Sequence, residues 1–306
     1  MSDYEVVVVG GGFAGLSAAM QLARARRRLL LIDAGRLRNR FAATSHGFLG
    51  QDGVAPAEIM RRGFEQLAAY PTVDVVRHEA LDACAVDGGF ELRLTNGAAV
   101  TGARLILATG VIDTLPLSSM QARWGVSVLH CPYCHGYEVQ DRRIAAIANV
   151  PVAVHQAIIL PDWGPTTFYT QGVFEPTPED AALLAARGVA IERSPVVELL
   201  GVGAGLSAVR LADGRDVPTE VAFTTPKTRV ASPLAEQLGC GFVDGVTGAH
   251  IQVDAMQQTT VPGVFAAGDA ATAMFNATLA SAAGVTAGVA THRSLVMAKA
   301  TGGLRS

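Results

Sequence analysis

The chain has 306 residues, half of them apolar, and a net charge of -3, with arginines scattered apart from a short run at Arg24 and Arg26 to Arg28. This is ample material for one large or two medium cores, which excludes a small stapled scaffold, and the mild acidity excludes a nucleic-acid surface. The start, "MSDYEVVVVGGGFAG", has acids where an export signal carries Lys or Arg, and the later apolar run "IAAIANVPVAVHQAIIL" is broken by Asn149, Pro151, His155 and Gln156, so a soluble, cytoplasmic protein is expected.

The first predicted element is a strand over Val6 to Val9. Gly10, Gly11, Gly12, Phe13, Ala14 and Gly15 follow, and then a helical pattern to about Arg26. A second strand, "RLLLIDAG", ends in Asp33, ~20 residues after the glycines, the spacing of a nucleotide-binding strand-turn-helix-strand unit. In that role Gly10 permits the tight turn, Gly12 lets backbone approach a pyrophosphate, and Gly15 lets helix and strand pack closely. The helix start offers amide donors to phosphate. Asp33 accepts from ribose hydroxyls; its plainer reading is a solvated carboxylate at a strand end.

Two later strands end in small-residue turns: "RLILATG", closing on Thr109 and Gly110, and "VPGVFAAGDAA", carrying Gly268 and Asp269. In this order the three segments resemble the FAD-binding domain of the two-dinucleotide flavoprotein disulfide reductases. The resemblance implies FAD as cofactor, with Asp269 on its ribityl chain. It also implies a helix start at Asn276, Ala277 and Thr278 facing the pyrimidine end of the flavin, where a helix N-terminus stabilises negative charge by ~0.3 to 1 kcal/mol.

Between these segments lies "HCPYCHGYE", residues 130 to 138. In a cytoplasmic chain a close cysteine pair is catalytic or metal-binding rather than part of a disulfide framework. The order GxGxxG, ATG, CxxC, GD resembles the low-molecular-weight thioredoxin reductases over nearly the whole chain. By that resemblance Cys134 is the thiol facing the flavin and Cys131 the interchange thiol. A zinc site would need His130 and His135, each next to a cysteine, to converge with both thiols on one tetrahedral centre, and no metal is expected. Haem attachment would need an export route. Cys84 and Cys240 read as small buried hydrophobes.

Two departures from the thioredoxin reductase pattern carry functional weight. After the strand "RRIAAIA", the family's second glycine fingerprint, for NADPH, is replaced by Ala148, Asn149, Val150, Pro151, Val152 and Ala153. Val150 adds a branched side chain at the phosphate turn and Pro151 removes a donor. Where the family clusters arginines for the 2'-phosphate, "TTFYTQGVFEPTPED" has none and places Glu175, Glu179 and Asp180. The second departure is His135, standing where thioredoxin reductases have an aspartate. A histidine titrates near neutrality and can move thiol protons, and its imidazolium would favour a neighbouring thiolate; His130 can do the same from the other side.

With no NADPH site, a dithiol acting through Cys131 and Cys134 becomes the electron donor and dioxygen the acceptor. This resembles the small-molecule dithiol oxidases that close the disulfides of gliotoxin-, holomycin- and romidepsin-type metabolites. The stretch Gly35 to Gly53 looks like that branch; it suggests Arg40 near the ribityl or phosphates and His46 near the isoalloxazine, against the plain reading of a polar loop. Two other readings stay open. One is a reductase fed by a donor such as ferredoxin, with a thioredoxin-like protein as substrate; the other is a non-enzymatic flavin redox sensor.

The fold class expected is α/β, with two Rossmann-like three-layer dinucleotide-binding domains in the thioredoxin reductase arrangement. The FAD domain is expected over residues 1–114 and 239–306, and an inserted NADPH-domain-like domain with the CxxC pair over 115–238. The resemblance implies a homodimer. Only "ATGGLRS" at the end reads as a loose tail.

Overall fold

The computed structural model describes residues 3–302. Residues 1–38, 57–112 and 229–306 form one compact unit, and residues 39–56 and 113–228 form a second. Two segments therefore differ from the expected boundaries. Leu234 and Ala235 pack into the first unit's core with Phe90, Leu105 and Leu107. The stretch 39–56 belongs to the second unit, where Gly125 sits so close to Phe41 that a Cβ on it would lie 2.9 Å from the Phe41 carbonyl carbon.

The first unit opens with β1 (Tyr4–Val9), α1 (Phe13–Arg24) and β2 (Leu29–Ile32), followed by α2 (Pro56–Ala68), β3 (Val73–Val76), β4 (Ala80–Val86), β5 (Gly89–Leu94) and β6 (Ala99–Leu107). The second unit then supplies β7 (Val128–Leu129), α3 (Pro132–His135), β8 (Ile144–Ile147), α4 (Ala153–Ile159), β9 (Thr166–Tyr169), α5 (Pro178–Ala186), β10 (Ala190–Glu192) and β11 (Val221–Thr224). The chain returns to the first unit for β12 (Val264–Ala266) and α6 (Ala277–Gly302). Thus α6 runs through the expected tail as far as Gly302, and the rest of that tail lies outside the described residues. No helix among the described residues is long and apolar enough to cross a membrane.

The first sheet runs β3-β2-β1-β6-β5-β4, with β12 also pairing with β6. Its β3, β2, β1, β6 and β12 pairings are parallel, and β4 and β5 extend it in antiparallel fashion. The unbroken apolar runs of β1 and β2 follow from burial on both faces. Val6, Val8, Leu29 and Leu31 face Leu22 of α1 and Ala287 and Leu295 of α6. Val7, Val9, Leu30 and Ile32 join Phe90, Leu92 and Leu94 on the other side.

The second sheet, β10-β9-β8-β11-β7, is parallel throughout. Ile144, Phe168 and Phe223 pack on Val154 and Ala157 of α4 and Leu184 of α5. Ile147, Tyr169 and Ala222 pack on a three-stranded antiparallel sheet through Val196, Leu199, Val209 and Leu211. Each unit is thus a layered α/β structure, the fold class expected. Because β7, β8 and β11 are parallel, the residues just past them share one edge of the sheet, and these include His130, Ala148 and Thr225.

Helices α1 and α6 touch backbone to backbone. A Cβ on Gly284 would stand 2.1 Å from the Ala14 carbonyl oxygen, and one on Gly288 would stand 2.7 Å from that of Ala18. Gly284→Ala is therefore expected to destabilise the first unit by ~1–3 kcal/mol through overpacking. At ~2–4 °C per kcal/mol this is a clear drop in a thermal melt of the holoprotein; an unchanged Tm would contradict the close approach.

Candidate functional site

The first glycine turn joins β1 to α1. Gly10 has φ +105°, and a Cβ there would fall 2.2 Å from the Ala108 carbonyl oxygen. Gly15 lies under it, where a Cβ would be 1.7 Å from the Gly10 oxygen. Gly12 is different in kind: its added Cβ would meet only the Leu37 side chain, at 3.7 Å, so that side of the turn is open. The Leu16 amide bonds the Gly12 carbonyl at 2.9 Å. The amides of Phe13, Ala14 and Gly15 thus precede the first intrahelical bond of α1 and are donors for a ligand. Asp33 Oδ1 accepts from the amides of Gly11 at 3.1 Å and Gly35 at 3.2 Å, and Oδ2 pairs with Arg77. Beyond β6, Thr109 carries a buried hydroxyl with no partner among the described residues, and Gly110 turns the chain at φ +68°.

Gly268 and Asp269 lie in a single 3-10 turn after β12. Asp269 Oδ2 accepts from Arg38 at 2.9 Å, and the Arg38 guanidinium stacks 4.0 Å from the Phe275 ring centroid. The arginine beside the expected ribityl ligand is therefore Arg38. Arg40 belongs to the second unit, with its guanidinium over Phe41. Asn276 caps α6, its Oδ1 accepting from the amides of Thr278 at 2.8 Å and Leu279 at 3.2 Å. The Thr278 amide thus has a partner in its own cap, while Ala277 opens the helix.

In the second unit, Cys131 and Cys134 form a disulfide with their Cα atoms 5.2 Å apart. The short helix α3, started by Pro132, presents it, and the Cys134 and His135 amides both bond the Cys131 carbonyl. Gly136 lets this turn lie on Trp163, since a Cβ there would be 2.8 Å from the indole. Tyr133 meets the same indole edge to face with centroids 5.7 Å apart. Tyr133 and Tyr137 remain 75% and 73% exposed, so the disulfide segment offers aromatic surface to a ligand.

His135 is half-buried, and its Nε2 has no hydrogen-bond partner among the described residues. Burial pushes its pKa below the ordinary histidine value; the Glu138 carboxylate opposes this, and His46 adds to it. Beside the disulfide the ring therefore favours its neutral form and is a proton acceptor in waiting. His46, expected near the flavin ring, lies in this cluster: its Nε2 is 2.9 Å from Thr44 Oγ1 and 3.4 Å from Glu138 Oε1, and its Nδ1 is 3.6 Å from Asp52. The loop that carries it is closed by the Ser45 amide on the Val54 carbonyl, the Gly53 amide on the Ser45 carbonyl and the Gly47 amide on Asp52.

His130, just past β7, has Nδ1 3.3 Å from the Thr224 carbonyl oxygen, and its own carbonyl accepts from Gln156 Nε2 at 2.5 Å. After β8, Ala148 and Val150 are buried. The amides of Ala153, Val154 and His155 there bond the carbonyls of Val150, Pro151 and Val152 at 3.1, 3.3 and 3.1 Å. The acids expected beside a 2'-phosphate have local partners: Glu175 pairs with Arg193, and Asp180 forms a capping box with Thr177. Of the remaining cysteines, Cys240 is buried next to Thr259, but Cys84 is exposed, as are Ala85 and Val86 after it at the end of β4.

Arg38, Glu138 and Gln156 were not singled out from sequence. Glu138 had a readable signal, three residues after His135 and within reach of the same turn. Arg38 and Gln156 had none, since both act across long sequence separations.

Residues 4–164 match the family model described as pyridine nucleotide-disulphide oxidoreductase. The chain is 31% identical over 283 residues to thioredoxin reductase tcpT of Claviceps purpurea, covering 87% of this chain and 86% of that one. Among solved structures it is similar to an oxidoreductase from Agrobacterium tumefaciens, with 47% identity, TM-score 0.92 and coverage of 97% and 99% of the two chains. It is also similar to HlmI, with 34% identity, TM-score 0.90 and coverage of 99% and 95%.

Two measurements test this geometry. In the folded protein His135 resists protonation, so the unfolded state takes up more protons as pH falls through the histidine range, and stability drops with it. Glu138→Gln removes the carboxylate that opposes this, so the His135 titration followed by NMR should move further down; an upward shift would contradict the cluster. Separately, Arg38→Ala should lower FAD retention on dialysis; unchanged retention would contradict a role for the Arg38–Asp269 pair beside the cofactor.

Proposed function

Because the chain belongs to the pyridine nucleotide-disulphide oxidoreductase family, a group of FAD-dependent flavoproteins, and is an oxidoreductase of the thioredoxin reductase-like kind, we propose that it oxidises a dithiol to a disulfide through Cys131 and Cys134. Dioxygen is the final acceptor in this reading. The first unit fits FAD. Gly12, Phe13, Ala14 and Gly15 offer an open turn and helix start for the pyrophosphate, Asp33 lies at the ribose end, and the unpartnered Thr109 hydroxyl and Asp269 serve the rest of the cofactor.

One observation carries the direction of electron flow. At the second turn, in the places that Phe13, Ala14 and Gly15 hold in the first, Pro151 has no N–H and the Ala153 amide is already bonded to the Val150 carbonyl at 3.1 Å, with Val150 itself buried. A pyrophosphate there would lack one donor and have to displace the bond of another, and this cost would not be offset by a long helix, since α4 has only 7 residues. Glu175 is paired with Arg193 and Asp180 accepts hydrogen bonds from Thr177, so the reading rests on the turn and not on charge repulsion. With pyridine nucleotide disfavoured, electrons enter from thiols.

The chemistry follows from the second unit's groups. A substrate thiol gives up its proton, and its sulfur bonds Cys131 Sγ as the Cys131–Cys134 bond breaks, with Cys134 leaving as thiolate. The second substrate thiol attacks the mixed disulfide and releases Cys131 with the product. His135, neutral and with Nε2 unpartnered, accepts a proton in this sequence. When bound, FAD supplies the two-electron acceptor for the reduced cysteine pair and passes the electrons to dioxygen, giving hydrogen peroxide.

The test uses the yellow holoenzyme without air. Dithiothreitol is expected to bleach the flavin rapidly and NADPH is not; on admitting air, peroxide should form in equimolar amount to disulfide. Cys131→Ser and Cys134→Ser should abolish the bleaching. Rapid bleaching by NADPH, coupled to thioredoxin reduction, would overturn the oxidase reading in favour of a reductase.

A further inference from the structure

Strands β2 and β3 are parallel and end level, with Ile32 opposite Val76, and the Asp33 amide bonds the Val76 carbonyl at 3.0 Å. The residues just past them, Asp33 and Arg77, therefore stand side by side at the carboxyl edge of the first sheet, where open α/β sheets bind their ligands. Arg77 Nη1 donates to Asp33 Oδ2, and its guanidinium lies 3.8 Å from the centroid of the Phe64 ring on α2. Phe64 and Asp33 meet again at the first glycine turn: a Cβ on Gly11 would be 2.6 Å from Asp33 Cγ and 2.7 Å from Phe64 Cζ. A carboxylate has about four acceptor sites; the Gly11 and Gly35 amides and Arg77 occupy all but one, which is on Oδ2. The other arginine nearby in sequence, Arg36, pairs with Glu79.

We propose that Arg77 is a positioning residue for the adenosine half of FAD. Lying on Phe64, it holds the Asp33 carboxylate so that Oδ2 can accept from a ribose hydroxyl, and it offsets the Asp33 charge beside the anionic pyrophosphate received by the turn at 12–15. A planar guanidinium suits both tasks, since it stacks on a ring while donating in its own plane. The Arg77 side chain is 56% exposed and that of Asp33 only 12%, so the pair acts through the orientation it gives the buried partner rather than through ion-pair energy of its own. Without Arg77 the carboxylate is held by amides alone, and its charge opposes that of the neighbouring phosphates. The assignment rests on the placing of the FAD ribose at Asp33 made above.

Release of FAD from the holoenzyme, followed by the fluorescence of the flavin freed into solution, tests this without any turnover. Arg77→Ala should speed release about tenfold, the worth of one hydrogen bond to a charged group. The visible spectrum of the flavin still bound should stay unchanged, because the isoalloxazine is at the other end of the cofactor. Arg77→Met, which keeps an apolar stem on Phe64, should behave alike and serves if the alanine variant folds poorly. In an Asp33→Asn background, itself faster to release than wild type, the Arg77 change should cost nothing further. Wild-type release from both Arg77 variants, or an equal further loss in the Asp33→Asn background, would overturn the assignment. Wild-type release from Asp33→Asn alone would instead sink the ribose placement beneath it.

Discussion

The acceptor of the amide hydrogens at two strand-to-helix turns governs the chemistry of this protein. After β1, Gly10 and Gly15 close the turn on itself and Gly12 leaves one side open, so the first amides of α1 precede any internal bond. After β8, Pro151 and Ala153 stand where Phe13 and Gly15 do in the first turn; the proline has no N–H, and the Ala153 amide bonds the carbonyl of the buried Val150. The same topological device thus makes an anion cradle in one unit and a closed turn in the other. The difference comes from side chains no larger than a valine and a proline.

The second unit's polar groups are arranged around the disulfide. Burial of His135 matters more than its proximity to the cysteines. A neutral imidazole takes a proton, whereas a resident imidazolium would already hold one, and desolvation favours the neutral state here. Glu138 moderates this without reversing it, and His46 reaches the cluster on a loop pinned by Asp52. Elsewhere in this unit, His130 Nδ1 meets the Thr224 carbonyl and the His130 carbonyl accepts from Gln156.

The parts of this arrangement that are local in sequence were legible there. Four valines followed by glycines specify a buried parallel strand and a tight turn, and the cysteine spacing brings both thiols onto one helical turn. The membership of residues 39–56 was not legible, because a polar loop carries no periodicity; its attachment depends on Gly125 accepting Phe41 and on Glu138 meeting His46. The choice of Arg38 over Arg40 beside Asp269 is a matter of where one loop turns, across 231 residues of sequence. The sign of the His135 shift depends on burial, which sequence spacing does not encode. Likewise Glu175 reads as an unpaired acid until the fold brings Arg193 beside it.

Calorimetric titration of the oxidised holoenzyme with NADPH addresses the second turn itself, apart from any turnover. No saturable heat is expected at millimolar nucleotide, because Pro151 has no N–H to offer and the Ala153 amide already has an acceptor. Saturable binding in the micromolar range would show that this turn still admits a pyrophosphate, and would contradict the account at its root.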